Sequence, residues 1–527
     1  MMMTTAQQIY SKLEGKRHTY LDRARTCSKL SLPYVMPAEG FSSHSRLETP
    51  FSGVAARGVN NLASKLLLAL FPPNSPFFRL QADAQKLAEQ GAPPEIASEI
   101  ERSLQRLEEV VMDQVAQETY RVTIHEALKN LIITGNALLY MPDDGGMRVF
   151  HLDRFVVERD PMGSVLTIAT KESIAKAALD EDLLAAVVQT AEADPNDEAY
   201  DLYTSIQRDG NNWNIQQDIN GVTLTDRGGR IPLEKSPYIP LRFSRIDGED
   251  YGRGYVEEYL GDIQSLESLT RAIVEGSAAS AKVLFMVNPN STTRAKTLAE
   301  SANGAIVSGN AGDVSTLQVQ KFNDFRVAQM TMEGIKDRLG AAFLLTSGVV
   351  RQAERVTAEE IRMLSQELET SLSGAYSLLS NDLQLPMVTR LMAVMKKQKK
   401  LPPLPKGLVK PVIIAGVEAL GRGNDLSKLD LFLAGAAQVV GPQAIAQYVN
   451  IEDYFKRRAT ALGIKTEGLI KTQEQLAQEQ QQAQMQQMVD KLGPQGVKMM
   501  NDQMLAGNVD VSQMYDAEEV QEAVEPA

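Results

Sequence analysis

The sequence predicts a mixed α/β, helix-rich protein, and three observations predict it. Long stretches repeat apolar residues at steps of three and four, the period of a helix with one buried face. From Gly135 to Asp218 the pattern changes to short apolar runs bounded by turn residues, the signature of strands. Capping residues, glycines and prolines punctuate both parts. A chain of 527 residues with 43% hydrophobic and 23% charged residues is an ordinary globular sequence, long enough for several domains.

Residues 6–30 are predicted helical, with Ile9, Leu13 and Tyr20 on one side. Residues 53–70 read as a buried helix stopped by Pro72-Pro73. A third helix spans about 94–118 on the stripe Ile96, Ile100, Leu104, Leu107 and Val111, and a fourth, 122–134, ends at Gly135. Strands follow at Ala137–Met141, Arg148–Val157 and, after the turn Asp160-Pro161-Met162-Gly163, Val165–Ala169. Tyr200–Arg208 and Trp213–Asp218 flank Asp209-Gly210-Asn211-Asn212, a hairpin signal.

The stretch Tyr251–Pro386 is the most distinctive. A helix opens after Gly252 and Gly254, with Val256, Tyr259, Leu260, Ile263, Leu266, Leu269 and Ile273 on one face. It ends in Gly276-Ser277-Ala278-Ala279-Ser280-Ala281, where small side chains let a neighbouring backbone approach. An insert at 282–323 is predicted to hold strands at Lys282–Val287, Ala305–Val307 and Val314–Val319, with a short helix near 292–302. A second helix is expected to start at the cap Asp324 and run through Met332, Ile335, Leu339 and Phe343. A short basic loop then precedes the capping box Thr357-Ala358-Glu359-Glu360. The long helix beyond it carries Ile361, Leu364, Leu368 and Leu372, and Pro386 should kink or restart it. Residues 425–470 look helical, and nine glutamines crowd 473–487.

Cys27 is the single cysteine, so an intramolecular disulfide is ruled out, which fits synthesis in a reducing cytoplasm. The longest purely apolar run, Leu66–Phe71, is too short for a bilayer span, and Met1–Tyr10 lacks a signal core, so a soluble chain with no membrane partner is expected. The net charge of −13 argues against a free-standing nucleic-acid binder. Seven acids and no Lys or Arg fall in residues 501–527.

Catalytic constellations are missing from the pattern. Gly416–Gly421 has the spacing of a phosphate loop, but Arg422-Gly423 follows instead of Lys-Ser/Thr, so a turn is expected. Gly252-Arg253-Gly254 lacks the third glycine of a dinucleotide fingerprint and reads as a helix entry. His18, His44, His125 and His151 are scattered, which disfavours a zinc site. Glu257, Glu258 and Asp262 read as a solvated helix face or as salt bridges between subunits. Arg390, Lys396, Lys397, Lys399, Lys400, Lys406 and Lys410 form a run without an acid beside Pro402-Pro403 and Pro405, which reads as a solvated linker ahead of a DNA contact.

The order helix, insert, helix, basic loop, capped helix resembles the portal (head-to-tail connector) proteins of short-tailed, podovirus-type bacteriophages. So do Thr49-Pro50-Phe51, Ala56-Arg57-Gly58-Val59-Asn60-Asn61-Leu62-Ala63-Ser64-Lys65, Tyr120-Arg121-Val122-Thr123, Gly135-Asn136-Ala137-Leu138-Leu139-Tyr140, Asp247-Gly248-Glu249 and Glu354-Arg355-Val356-Thr357-Ala358-Glu359-Glu360-Ile361-Arg362. The likeness covers roughly residues 5 to 475.

That resemblance implies a portal fold assembled as a ring, with a wing (1–250), stem helix 1 (251–281), clip (282–323), stem helix 2 (324–346), channel loop (347–356), a long kinked helix returning to the wing (357–424), a helical crown (425–487) and an acidic, disordered tail (488–527). It implies a homododecamer at one capsid vertex of the virion, made in the host cytoplasm. Double-stranded DNA would be packaged and ejected through it without sequence specificity. Terminase, scaffolding, capsid and tail adaptor proteins are the implied partners, with no cofactor, no metal and no catalysis. Arg351 and Arg355 would line the DNA channel, and Gly276, Ala278 and Ala279 would pack against a neighbouring subunit. The alternatives are a non-portal structural ring or adaptor and, less favoured, a DNA-packaging enzyme. A missing phosphate loop disfavours the enzyme.

Overall fold

The first helix forms because Thr5 closes it with a reciprocal cap. The Thr5 hydroxyl accepts from the Gln8 N–H and the Gln8 side chain accepts from the Thr5 N–H, both at 3.2 Å. The computed structural model describes residues 5–41, 44–72, 76–82, 94–117, 120–179, 198–224, 228–280, 284–291, 293–317, 322–345, 358–372, 374–402 and 409–413, together with isolated positions at 184 and 187 and between 430 and 458. Helix α1 (Ala6–Lys29) is also held from outside. The Asp218 carboxylate accepts from the Ala6 and Gln7 N–H groups at 2.6 and 2.9 Å, an anion at a helix N-terminus. Burial raises this carboxyl above its ordinary value, and the two amides pull it back.

Helix α1 lies on an antiparallel six-stranded sheet. Strands β4 (Phe155–Arg159), β5 (Val165–Ala175), β6 (Ala199–Asp209), β7 (Asn212–Ile219) and β8 (Val222–Thr223) follow in order, and β9 (Gly229–Pro232) pairs with β7. Ile168, Ile206 and Ile215 stand opposite one another across β5, β6 and β7. Arg17 is buried between helix and sheet, where its guanidinium head finds partners although its Nε does not. Its Nη1 donates to the Leu152 and Phe155 carbonyls at 2.8 and 2.7 Å.

A second layer gathers on helix α2 (Val54–Leu70), which is buried on most sides. Helices α3 (Pro94–Gln117) and α4 (Tyr120–Thr134) follow it, and β1 (Phe78–Ala82) precedes them. Strand β2 (Asn136–Tyr140) sits between β10 (Tyr238–Arg242) and β3 (Arg148–Phe150). Leu62, Leu66, Leu128, Leu131, Leu139 and Leu241 join one apolar core there.

The chain then leaves this core as a helical hairpin. A short turn, α5 (Tyr255–Glu258), leads into α6 (Leu260–Ser280). Strand β11 (Leu284–Val287), helix α7 (Ala295–Glu300) and strand β12 (Val314–Leu317) make the tip, with β11 and β12 antiparallel. Helix α8 (Phe322–Ala342) returns. Helices α9 (Ala358–Ser371), α10 (Ala375–Leu379) and α11 (Leu385–Lys397) re-enter the core, and β13 (Val409–Ile413) pairs with β1. Two compact units divide the chain, Met1–Leu420 and Gly421–Ala527. In the second, Tyr454 donates to Asp430 at 2.7 Å and Arg458 donates to the Tyr454 hydroxyl at 2.7 Å.

Several expectations need correction. Arg148–Val157 is two strands in two sheets, broken by a 3-10 turn at Leu152–Arg154. Asp153 at the centre of the break is its one local turn signal. Tertiary contacts make the break, because His151 is held at 3.0 Å by the Val35 carbonyl and at 3.4 Å by Glu126. Ala305–Val307 is not a strand, and Ile306 is fully exposed without a pairing partner. Helix α8 starts at Phe322, so Asp324 lies in its first turn and favours the dipole there without capping it. The first hairpin helix is interrupted at Tyr259. The long helix breaks where Gly374 takes a left-handed φ of 90°. Its restart at Leu385 puts Pro386 in the first turn, and a π turn at Ser380–Gln384 stands just before it. Part of the basic run is built into the core, while Lys406, Pro403 and Pro405 lie outside the described residues. Buried Arg390 donates to the Met141 and Lys235 carbonyls at 3.0 and 3.2 Å and pairs with Asp143 at 2.8 Å. Lys397 pairs with the same carboxylate at 2.6 Å. These two cations, Lys397 first, hold Asp143 below its ordinary range. Lys410 lies in β13, opposite Gln81.

Two measurements follow from these contacts. Gly254 has no room for a side chain, since a Cβ there would stand 2.4 Å from the Ile133 carbonyl oxygen. Gly254→Ala should lower the free energy of urea unfolding by about 3 kcal/mol, and a loss below about 1 kcal/mol would contradict that packing. Bonding to Glu126, opposed by burial, raises the His151 pKa. The resulting stability is complete below the unfolded value of about 6.5 and is lost as pH rises through the higher folded value. The melting temperature of the native chain should therefore fall more than that of His151→Gln as pH rises above about 6.5.

Candidate functional site at the root of the helical hairpin

Two places where backbone meets backbone fix the start of the hairpin. Gly135 ends α4 with a left-handed φ of 77°, and a Cβ on it would lie 2.4 Å from the Arg253 carbonyl carbon. The next residue, Asn136, bonds the same crossing in both directions. Its Nδ2 donates to the Gly252 carbonyl at 2.9 Å and its Oδ1 accepts from the Gly252 N–H at 2.8 Å. Gly254 then starts α5 against the last turn of α4. The predicted helix entry is therefore correct, and its glycines are needed for close approach.

Helix α2 holds both legs of the hairpin. Glu267 on α6 accepts from the Phe51 and Ser52 N–H groups, both at 2.9 Å, just before α2 begins. The Arg271 guanidinium lies 5.2 Å over the Phe51 ring. On α2, Gly58, Asn61 and Lys65 share one face at helical spacing. Gly58 receives the Phe343 ring, which a Cβ would meet at 2.7 Å. Asn61 Nδ2 donates to the Phe343 and Leu344 carbonyls, both at 3.0 Å, and Lys65 Nζ donates to Leu344 at 3.1 Å. These donors serve the open carbonyl end of α8, where Leu344 has a left-handed φ of 54°. Phe343 also packs edge-on against Tyr255, whose hydroxyl donates to the Ala342 carbonyl at 3.0 Å.

Lys65 reaches across to α9 as well, 3.6 Å from Glu367, and Leu364 and Leu368 of α9 join the α2 core. Residue 345, just past the end of α8, and residue 358, the first of α9, are the described positions on either side of the segment 346–357, and both helices are tied to one face of α2. Between the legs, the Arg338 guanidinium grips Asp262 at 2.8 and 3.2 Å, which lowers the Asp262 pKa. A cavity of about 400 Å³ opens beside them, lined by Phe51, Val54, Arg57, Thr270 and Lys336 among others.

The predicted site residues have different fates. Arg351 and Arg355 lie outside the described residues. Gly276 touches its own chain, because a Cβ there would meet the Phe325 ring at 2.7 Å. Ala278 and Ala279 are exposed. Farther out, Val274, Val327 and Met330 are exposed by 49%, 65% and 64%, an apolar surface that the described chain leaves uncovered. Glu257 and Asp262 pair within the chain, Glu257 with Arg23 at 3.3 Å, and burial raises the Glu258 carboxyl. The roles of Asn61, Lys65 and Glu267 were missed by sequence reasoning, because each acts on a segment far away in the chain.

The family model for bacteriophage head to tail connecting proteins matches residues 3–470. The portal protein of Escherichia phage T7 is 39% identical over 492 residues, which cover 92% of this chain and 91% of that protein. The portal protein of Enterobacteria phage T3 is 40% identical over 476 residues, 89% of each. That of Enterobacteria phage SP6 is 33% identical over 430 residues, 81% of this chain and 82% of its own length.

Lys65→Met keeps the side-chain bulk and removes the contacts to Leu344 and Glu367. It should cost about 1–3 kcal/mol in urea unfolding, the scale for a buried group that loses its partner. An unchanged midpoint and slope would mean that the α8 terminus does not depend on Lys65.

Proposed function

The chain belongs to the bacteriophage head-to-tail connecting proteins, the portal proteins, and from that premise we propose that it works as a closed dodecameric ring at one capsid vertex. Double-stranded DNA is packaged and later ejected through the ring. The protein is mechanical, with no catalysis of its own, and docks terminase, scaffolding and capsid proteins and then tail adaptor proteins. Residues 1–250 form the wing, 251–281 and 324–346 the two stem helices, 282–323 the clip, and 357–424 the helix that returns to the wing. Residues 425–487 make the crown and 488–527 an acidic tail dispensable for ring formation.

The observation that supports this reading is the pinning of both sides of residues 346–357 to α2, beside a hairpin whose apolar outer surface is uncovered. An uncovered surface of that kind needs a neighbour, and a head-to-tail contact repeated around an axis closes a ring. Ala278, Ala279, Val274 and Met330 meet the adjacent copy. The loop turns inward and carries Arg351 and Arg355. Twelve copies would place roughly two dozen positive charges around a duplex that bears one negative charge per ~1.7 Å. Contacts of this type go to phosphates and carry no sequence preference.

The double variant Arg351→Ala, Arg355→Ala tests the loop. Ring formation should persist and stability should change by no more than about 0.5 kcal/mol, since exposed loop positions contribute little. DNA packaged or retained per head should fall. Native packaging and retention by normal rings would remove the channel role, and broken rings would point to salt bridges between subunits.

A further inference from the structure

Three arginines come together at the turn that joins β4 to β5, outside the hairpin root. Gly163 in that turn has a left-handed φ of 85°. A Cβ built on it would stand 2.9 Å from Arg242 Nη2 and 2.9 Å from both Nε and Cζ of Arg245, so two guanidinium groups converge on one point. Arg159 Nη1 donates to the Gly163 carbonyl at 3.1 Å from the other side.

Arg159 is fully engaged. Its Nε and Nη2 donate to the Asp250 and Pro240 carbonyls at 3.0 and 3.2 Å, and its own N–H donates to Asp250 Oδ1 at 2.7 Å. The other two arginines are not. Arg242 is only 4% exposed and bonds the Glu249 carbonyl at 3.2 Å through Nη1, while its buried Nε has no hydrogen-bond partner. Arg245 has neither a hydrogen bond nor an ion pair among the described residues.

Among the described residues no acid forms an ion pair with either arginine, and Asp250 and Asp382 attract Arg242 only from farther away. Asp160 accepts from Ser164 N–H within the turn, and Glu249 pairs with Arg253 at 2.8 Å. Asp382 approaches from the π turn but makes no ion pair with any of the three, and burial raises its carboxyl despite their pull. Two like charges at one half-buried point repel each other, and a buried guanidinium without a counter-ion is costly. The free donors have the forked geometry that suits one carboxylate.

The surroundings favour a protein as the source of that carboxylate. Met162 beside Gly163, Ile246 beside Arg245, and Leu385 one turn beyond Asp382 are exposed by 75%, 37% and 37%. A DNA phosphate or a free anion would leave those apolar groups in water. A folded partner covers them, and Arg and Met are enriched in such contacts. A chain of net charge −13 supplies carboxylates from its own copies. We propose that Arg242 and Arg245 form a docking site for an acidic side chain of the adjacent copy. This inference rests on the ring proposed above, in which each copy offers one face to its neighbour's different face.

Two variants of the full chain test it. Arg245 is exposed and unpartnered, so neither change should disturb folding, and unchanged thermal melting verifies that. Arg245→Glu should raise the protomer concentration at half-assembly at least about tenfold, as the loss of an interface charge pair does, while Arg208→Glu should not. For Arg245→Lys, rings are assembled from a mixture of 15N-labelled and unlabelled chains and treated with a carbodiimide, which joins an amine to a carboxylate in direct contact. Crosslinked peptides at position 245 that combine both isotopes are the expected result. Rings with crosslinks only inside one chain, to Asp250 or Asp382, would overturn the inference, as would normal assembly of Arg245→Glu. Normal assembly combined with weaker duplex-DNA binding would reassign the arginines to phosphate. A native chain that stays monomeric would instead remove the ring reading, and this site with it.

Discussion

The backbone crossing of Gly135-Asn136 with Gly252-Arg253-Gly254 carries the connection between the sheet-bearing core and the helical hairpin. Its glycines bring backbone directly against backbone, and the Asn136 side-chain amide bonds Gly252 in both directions. A contact of this kind is rigid because it offers few alternative packings. It fixes the direction in which α5 and α6 leave the core. Everything farther along, the tip, the return helix α8 and the segment after it, is aimed from this point. Helix α2 then holds the second leg, with one face presenting a glycine for Phe343 and two donors for the end of α8. A ring that must align many loops on one axis needs such a root, since a small error in angle there grows with distance.

The electrostatics divide in the same way. Inside the core, cations are tied to acids or carbonyls of their own chain. Arg17 serves two carbonyls, Arg390 and Lys397 share Asp143, and Glu257 meets Arg23. These pairs join segments distant in sequence and leave little charge for a partner. Outside the core, groups left uncovered or without partners include the outer hairpin's Val274, Val327 and Met330 and, at the β4–β5 turn, exposed Arg245 beside the unpaired Nε of buried Arg242. Uncovered groups of this sort are the surfaces that partner-binding sites use.

Helix and strand existence was legible wherever periodicity was long, as in α2, α3 and α6, and the β6–β7 hairpin followed from its turn residues. The family signatures could be recognised by order, although their physical reasons could not. Asn61 and Lys65 look like ordinary polar positions on a helix until α8 ends beside them. The break at His151 and the fate of the basic run depend on Val35, Glu126 and Asp143, which local pattern cannot supply. Pro386 marks the restart of the long helix, where its missing donor is absorbed, while the break itself is at Gly374. The triple-arginine turn brings together residues 159, 242 and 245, which share no motif.

The most direct measurement is a single-particle reconstruction of the purified full-length chain. The predicted result is a closed ring with a channel wide enough for duplex DNA, residues 346–357 at its wall, and the Val274 and Met330 surfaces covered by adjacent copies. A monodisperse monomer at micromolar concentration across several salt conditions, or a ring whose channel is lined by the six-stranded sheet, would contradict it.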